Sequence, residues 1–484
     1  MRQLLFCPFL FALSLMFSGC HGSIAVTGEL DVQPQIYPDY CDVTVPDNIA
    51  PLNFTYIGNG DCMLRVGDRT FSPKRDGTFM FNRALWKRWM RGDAIEMTLL
   101  ARTDGRWMAY KPFSITVSHD KIDPYISFRL IPPGYQGWKR MGIYQRNLEN
   151  YSQTPIVENR LSGENCLNCH TYCQRDPGKM VFHARADFGG TMLLNDGLIE
   201  KLNTKTDSTV SALVYPFWHP GGRYIAFSTN VTKQSFFNHD PNRIEVFDTA
   251  SDVVVYDVEK HSIAWSPLTR SREMFETFPC FSPDGKWLYF CSSKAVDDLP
   301  KSYDMAHYGI YRIAFNSEDS SFGDSLECIY DAETEGMSAS FPRISPDGRW
   351  LAFTRHGYGN FSIWHKDADI WMTDLQSGES GPAVAMNSDD VDSYHSWSGN
   401  SRWMVFSSRR DDGLYTRLYI SHINSDGEAS KAFMLPQRDP LNYYKKLMFS
   451  YNLPEFMCGK VATSPHRISD KMRSSDGIQV TAAF

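Results

Sequence analysis

The sequence predicts an all-β chain, a β-propeller of five four-stranded blades preceded by a small β-sandwich, and three observations predict it. Aromatic residues are abundant, with 31 Phe, 24 Tyr and 12 Trp, and they accompany 33 Gly and 26 Pro, a mixture that suits strands joined by many turns. A motif recurs along the carboxy-terminal half: Tyr215-Pro216-Phe217-Trp218-His219-Pro220-Gly221-Gly222-Arg223-Tyr224 aligns with Phe278-Pro279-Cys280-Phe281-Ser282-Pro283-Asp284-Gly285-Lys286-Trp287. It aligns again with Phe341 onward, through Ser345-Pro346-Asp347-Gly348-Arg349-Trp350, and more loosely from Tyr394. Short alternating apolar segments flank each copy, so every unit reads as two hairpins, and a repeat of this length marks a propeller or solenoid.

The elements follow in chain order. Arg2 precedes an apolar run over residues 4–17 that is too short to span a bilayer comfortably and fits the core of an export signal. It ends in Phe17-Ser18-Gly19-Cys20, where small residues before a cysteine predict cleavage after residue 19 and lipidation of Cys20. Residues 20–45 read as anchor and tether. His21-Gly22-Ser23-Ile24 lacks an acidic cluster, so the expected place is the periplasmic side of a bacterial outer membrane.

Residues 46–120 form the predicted sandwich. Strands are expected at 52–57, 62–66, 78–81, 95–102, 107–110 and 113–117, with turns at Gly58-Asn59-Gly60, Asp76-Gly77 and Asp104-Gly105 and one helix over 84–91. Residues 121–177 are rich in Pro, Tyr and Arg without clear periodicity, and read as a connecting segment. The propeller occupies 178–470. Residues 176–202 lack a first strand, and Leu453-Pro454-Glu455-Phe456 supplies one, so the expected closure joins the two; a sixth blade built from the tail is the alternative. Residues 471–484 are polar and read as a frayed tail.

Nine cysteines remain beyond Cys20, an odd number for a disulfide framework; Cys41 and Cys62 are candidates to pair. The densest cluster reads Cys166-Leu167-Asn168-Cys169-His170, followed by Cys173. Cys-x-x-Cys-His is the string that covalent c-type haem attachment requires: two thiols for thioethers and an adjacent imidazole for iron. The residues therefore predict one haem c held by Cys166 and Cys169, with His170 as proximal iron ligand. Distal candidates are His219, then Met180 and His183, because each departs from its counterparts in the repeat. A Cys166–Cys169 disulfide, a zinc site using Cys173, and a thiol redox pair stand as alternatives.

The repeats resemble the PD40, or WD40-like, units of the TolB propeller, and the whole chain is similar to TolB-like lipoproteins of the Bacteroidota with a haem-type motif ahead of the propeller. The resemblance covers residues 176–458. It implies a propeller fold and little about activity, since this fold hosts binding modules and non-catalytic parts of peptidases.

With 49 basic against 56 acidic residues and a formal charge of −7, no electrostatically driven nucleic-acid binder is indicated. No Gly-x-Ser-x-Gly string occurs, which disfavours a hydrolase of the nucleophile-elbow type. The expected function is electron transfer or haem-dependent sensing in an envelope complex. A non-catalytic propeller scaffold is the alternative and a haem peroxidase the third reading. The expected partners are envelope proteins or a redox partner, met by loops carrying Phe236, Phe237, His239, Trp364 and His365. The charge runs at residues 389–392 and 409–412 read as solvated loops.

Overall fold

The computed structural model describes residues 24–132 and 140–482; Cys20 and the run read as an export signal lie outside them. Strands dominate, as the composition predicts, and the carboxy-terminal two-thirds is a propeller. No helix among the described residues is long and apolar enough to cross a membrane.

Six antiparallel sheets, here I to VI in chain order, build the ring. Sheet I holds Tyr125–Ile131, Gly142–Asn147 and Gln153–Glu158. Sheet II runs from Cys166–Tyr172 through Lys179–Arg185, Gly190–Asn195 and Leu198–Asn203. Sheets III, IV, V and VI begin with Leu213–Trp218, Met274–Phe281, Ser338–Ile344 and Asp392–Trp397. The last long strand, Ser450–Met457, returns to sheet I and pairs with Tyr125–Ile131. Its neighbours around the axis are the first strands of sheets II and VI, so the six innermost strands form a closed circle. Closure leaves the inner edges no free partner sites.

Two expectations are corrected here. Residues 453–456 complete sheet I rather than the sheet of residues 179–202: Ser127 lies opposite Glu455, and the missing first strand of sheet II is the Cys-x-x-Cys-His segment itself. Residues 121–177 are therefore a sheet and an inner strand, not a connector. Their apolar pattern is broken by buried polar side chains whose partners are invisible to the sequence. Arg146, 2% exposed, donates to Gln437 Oε1 and the Pro436 carbonyl at 2.9 and 2.5 Å, and Arg129 donates to Asn168.

The tail is likewise structured. Pro465–Arg473 is a helix capped by Ser464, whose Oγ accepts from Arg467 N, and Ile478–Gln479 and Thr481–Ala482 add parallel edges to sheets II and III. Ile468, Met472 and Val480 are buried, and Lys201 Nζ donates to the carbonyls of Met472 and Ser474. The residues that bury this tail are single apolar positions in a polar sequence, too sparse to show as a pattern.

The amino-terminal region is a seven-stranded sheet with a three-stranded sheet beside it and the helix Arg83–Trp89. Strands Val26–Leu30, Ile36–Tyr37 and Val43–Pro46 belong to it, so the stretch read as a tether is largely part of this unit. It shares one apolar cluster with sheets I and VI, running from Phe54 and Trp86 to Phe128, Tyr451 and Phe406. Trp403 Nε1 donates to the Asp120 carbonyl at 2.7 Å and Tyr40 Oη to that of Met434 at 3.1 Å, which fixes the unit against sheet VI.

The repeated turns are built as their residues dictate. In sheet IV, Ser282 Oγ accepts from Trp287 N at 3.0 Å and donates to Asp284 Oδ1 at 2.6 Å; Ser345 and Ser398 repeat the pattern. All these turns lie on one face of the ring, where each inner strand ends.

If the tail is part of the packed ring, Met472→Ala should cost about 2 to 4 kcal/mol. Equilibrium denaturation measures it. A loss below about 0.5 kcal/mol, the size expected of a surface position, would show the helix to be peripheral.

Candidate functional site

Every inner strand carries the same irregularity. Cys169, Tyr215, Phe278, Phe341, Tyr394 and Leu453 have φ of 51°, 50°, 50°, 55°, 53° and 51°, and the pairing register slips at each. These are β-bulges with a left-handed residue, costing about 1 kcal/mol each. The next residue cannot join the ladder, so proline is tolerated there, and Pro216, Pro279, Pro342 and Pro454 occupy four of the six positions. The other two are His170 and His395.

A cavity of about 140 Å³ opens on the turn face at the level of these bulges. His170, His395, Glu455, Arg343, Arg175 and the rings of Phe217, Phe281, Phe341, Tyr394 and Trp397 are among its lining residues. His170 is 6% exposed and His395 3%. His170 Nε2 lies 2.9 Å from Ser127 Oγ, while its Nδ1 has no hydrogen-bond partner. Both ring nitrogens of His395 lack one; the carbonyls of Ala352 and Phe341 lie near enough only to moderate its shift. Burial pushes each imidazole down to about 3, helped by Arg129 for His170 and by Arg343 for His395, so both are neutral at physiological pH.

Glu455 supplies the acid. Its Oε1 accepts from Tyr172 N at 3.0 Å and Thr171 Oγ1 at 3.1 Å. Oε2 has no partner. Burial raises this carboxyl to about 7, against those two hydrogen bonds and the attraction of Arg343 and Arg175. A carboxyl poised there can give or take a proton at neutral pH. Arg343 donates to the Pro342 carbonyl and lies 5.1 Å from the Phe217 ring. It has no carboxylate within ion-pair reach among the described residues, whereas Arg175 faces Asp123 at 3.6 Å.

The residues predicted for haem do not assemble. Leu167 and Cys169 are buried in an inner strand, Cys166 is half-buried opposite Arg185, and His170 is engaged by Ser127. Met180 is wholly buried core, and His183 Nδ1 sits 3.2 Å from Thr191 Oγ1. His219 takes the place of the turn serine: Nδ1 accepts from Gly221 N at 3.0 Å and Nε2 lies 3.1 Å from the Gly285 carbonyl. It presses so close that a Cβ on Gly285 would fall 2.3 Å from Nε2. None of these three lines the cavity. All nine cysteines among the described residues are unpaired, including Cys41 and Cys62, and no group of three or more His, Cys, Asp or Glu is placed to hold a metal ion there.

The opposite face is closed differently. The long hairpin Tyr224–Phe236 and Ile244–Asp257 of sheet III reaches the loop over residues 357–367 of sheet V. Glu245 accepts from Tyr358 Oη at 2.8 Å and pairs with His365 Nε2 at 3.1 Å, and Asp248 accepts from Asn230 and Asn360, both at 2.7 Å. Of the loop residues expected to meet partners, His365 is thus buried, and Trp364 lies 3.5 Å from the Arg409 guanidinium. Phe236 is exposed.

No protein-family model matches the chain, and no curated protein does. Solved structures similar to it include prolyl oligopeptidase B from Galerina marginata, at 10% identity and TM-score 0.35 over 70% of this chain and 42% of that one. They include the periplasmic gluconolactonase PpgL of Pseudomonas aeruginosa, at 13% and 0.33 over 65% and 97%, and Porphyromonas gingivalis dipeptidyl peptidase 4, at 9% and 0.31 over 74% and 60%. The chain spans less than half the length of the oligopeptidase. Likenesses this slight carry no argument about activity. The expectation of haem-dependent electron transfer or sensing is corrected by the chain itself, and with it the peroxidase reading that needs the same haem and the scaffold reading in which Cys166 and Cys169 form a disulfide, since both thiols are unpaired. The motif that suggested haem is an inner propeller strand, with Cys169 at the bulge and His170 at a position that proline fills in four other strands.

Sequence reasoning missed Glu455, Arg343 and His395. The signal was present: aligning all six bulges, rather than five, sets His170 beside His395 against prolines and Arg343 and Glu455 one residue later.

Because His395 stands where proline serves elsewhere, His395→Pro should fold and remove two unpartnered buried nitrogens, leaving stability equal or higher by up to about 1 kcal/mol. The wild-type imidazole titrates near 3 when folded and near 6.5 when unfolded, so the folded chain binds fewer protons between those values and loses stability as pH falls through them. Thermal melts at pH 4 and 7 should show a smaller acid loss in the variant. A variant that misfolds would refute the equivalence of the six positions.

Proposed function

We propose that the chain binds a small polar molecule in the turn-face funnel and that Glu455 exchanges a proton with it. The observation that supports this reading is the pair of buried histidines in place of prolines. Unpartnered buried nitrogens cost stability, and proline would avoid that cost, so their presence beside an open cavity fits a ligand that supplies the missing hydrogen bonds. A proton-active carboxyl in the same cavity extends the reading from binding to acid–base chemistry.

A thermal-shift screen of single-ring acids, amines and neutral alcohols at millimolar concentration tests it. Some compound should raise the wild-type Tm by about 2 °C or more, as expected for a ligand well above its Kd, and fail to do so in the His170→Pro, His395→Pro double variant. If no compound distinguishes the two proteins, the funnel is not a binding site.

The same proposal reads the six sheets as six propeller blades of TolB-like type and places the chain at a bacterial envelope, anchored through Cys20. The Ser-Pro-Asp-Gly turns and the apolar run before Cys20 support it. Cys20→Ser should move the protein from the membrane to the soluble fraction; equal partition of both forms would contradict the anchor.

A further inference from the structure

Resting on the binding reading above, we infer that the funnel's ligand is a small organic acid with one apolar ring, its carboxylate docked between Arg343 and Glu455. Three features of the cavity lead there. Arg343 lines the cavity with no carboxylate within ion-pair distance among the described residues, and a guanidinium in a partly dry site is matched by a carboxylate, which it grips with two parallel hydrogen bonds. A cationic ligand would meet repulsion from Arg343 and from Arg175, and Asp123, which faces Arg175 at 3.6 Å, is already engaged by it.

The walls set the size. Phe217, Phe281, Phe341, Tyr394 and Trp397 surround the space, and a volume near 140 Å³ accommodates about one six-membered ring, as apolar cavities of that size do. The neutral imidazoles of His170 and His395 offer donor or acceptor nitrogens for a ring substituent. Glu455 lines the same cavity.

An anion beside Glu455 requires that carboxyl to carry its proton, since two carboxylates in contact repel and one shared proton joins them. The groups around Glu455 are Ser127 opposite it in sheet I, Arg343 of sheet V, His395 of sheet VI, His170 and Tyr172 of sheet II, and Cys173 and Arg175 of the turn that follows, the last with Asp123. With Glu455 titrating at about 7, binding of an anion takes up a proton above that value. Affinity should fall about tenfold between pH 6 and pH 8.

Benzoate, benzamidine and benzyl alcohol are the probes, followed by ligand-observed NMR on the full chain. Benzoate should bind wild type, lose about tenfold in affinity from pH 6 to pH 8, and fail to bind Arg343→Met. Glu455→Gln should bind benzoate with a flat pH profile, because an amide donates whatever the pH; this variant keeps the test open should Arg343→Met not fold. Preference for benzamidine or benzyl alcohol, or benzoate binding with no pH dependence in wild type, would overturn the acid-ligand inference and leave the binding reading standing. Binding of no probe of any charge would overturn both.

Discussion

One extra residue in each innermost strand governs this molecule. A β-bulge bends the strand at the place where six sheets converge, turns one backbone unit into the left-handed region, and frees the following residue from the ladder. That residue no longer needs to donate an N–H, so the position admits proline for rigidity or, equally, a side chain with chemistry. In four strands it is proline. In the strands of sheets II and VI it is histidine, and the residues one step further on include Arg343 and Glu455. The geometry that closes the ring therefore also decides which side chains gather at its mouth.

Closure adds the second half of the site. The strand Ser450–Met457 is far in sequence from sheet I, yet it is that sheet's inner member and brings Glu455 against Thr171 and Tyr172 of sheet II. Burial there raises the carboxyl, and neighbouring guanidiniums oppose the rise without cancelling it. On the far face, the long hairpin of sheet III is tied to sheet V by Glu245 and Asp248. The two ends of the axis thus differ: a knitted polar network at one, an aromatic funnel with free hydrogen-bonding groups at the other.

Much of the fold was legible because its signals are local. The Pro-Asp-Gly turns, the alternating strands around them and most strands of the amino-terminal unit follow from residues adjacent in the chain. Sheet I was not legible. Arg129, Gln145 and Arg146 are buried in it and hydrogen-bonded to residues such as Asn168, Val461 and Gln437, so its strands lack the apolar alternation that marks others. The site was hidden for a related reason. Cys166-x-x-Cys169-His170 matches a haem-attachment string, and that match obscured the weaker fact that Cys169-His170 stands in register with Tyr215-Pro216. Read through its turns, the repeat predicts five blades; read through its bulges, it has six copies.

The most direct measurement of this account is the titration of Glu455 itself, followed by the side-chain carboxyl resonance of 13C-labelled glutamate and assigned with Glu455→Gln. A carboxyl enclosed by the closed ring and facing the funnel should titrate near 7, and a single-ring acid should move that midpoint upward. A midpoint at the ordinary glutamate value near 4.3, unmoved by any ligand, would mean that Glu455 is solvated, and the funnel would not be the site described.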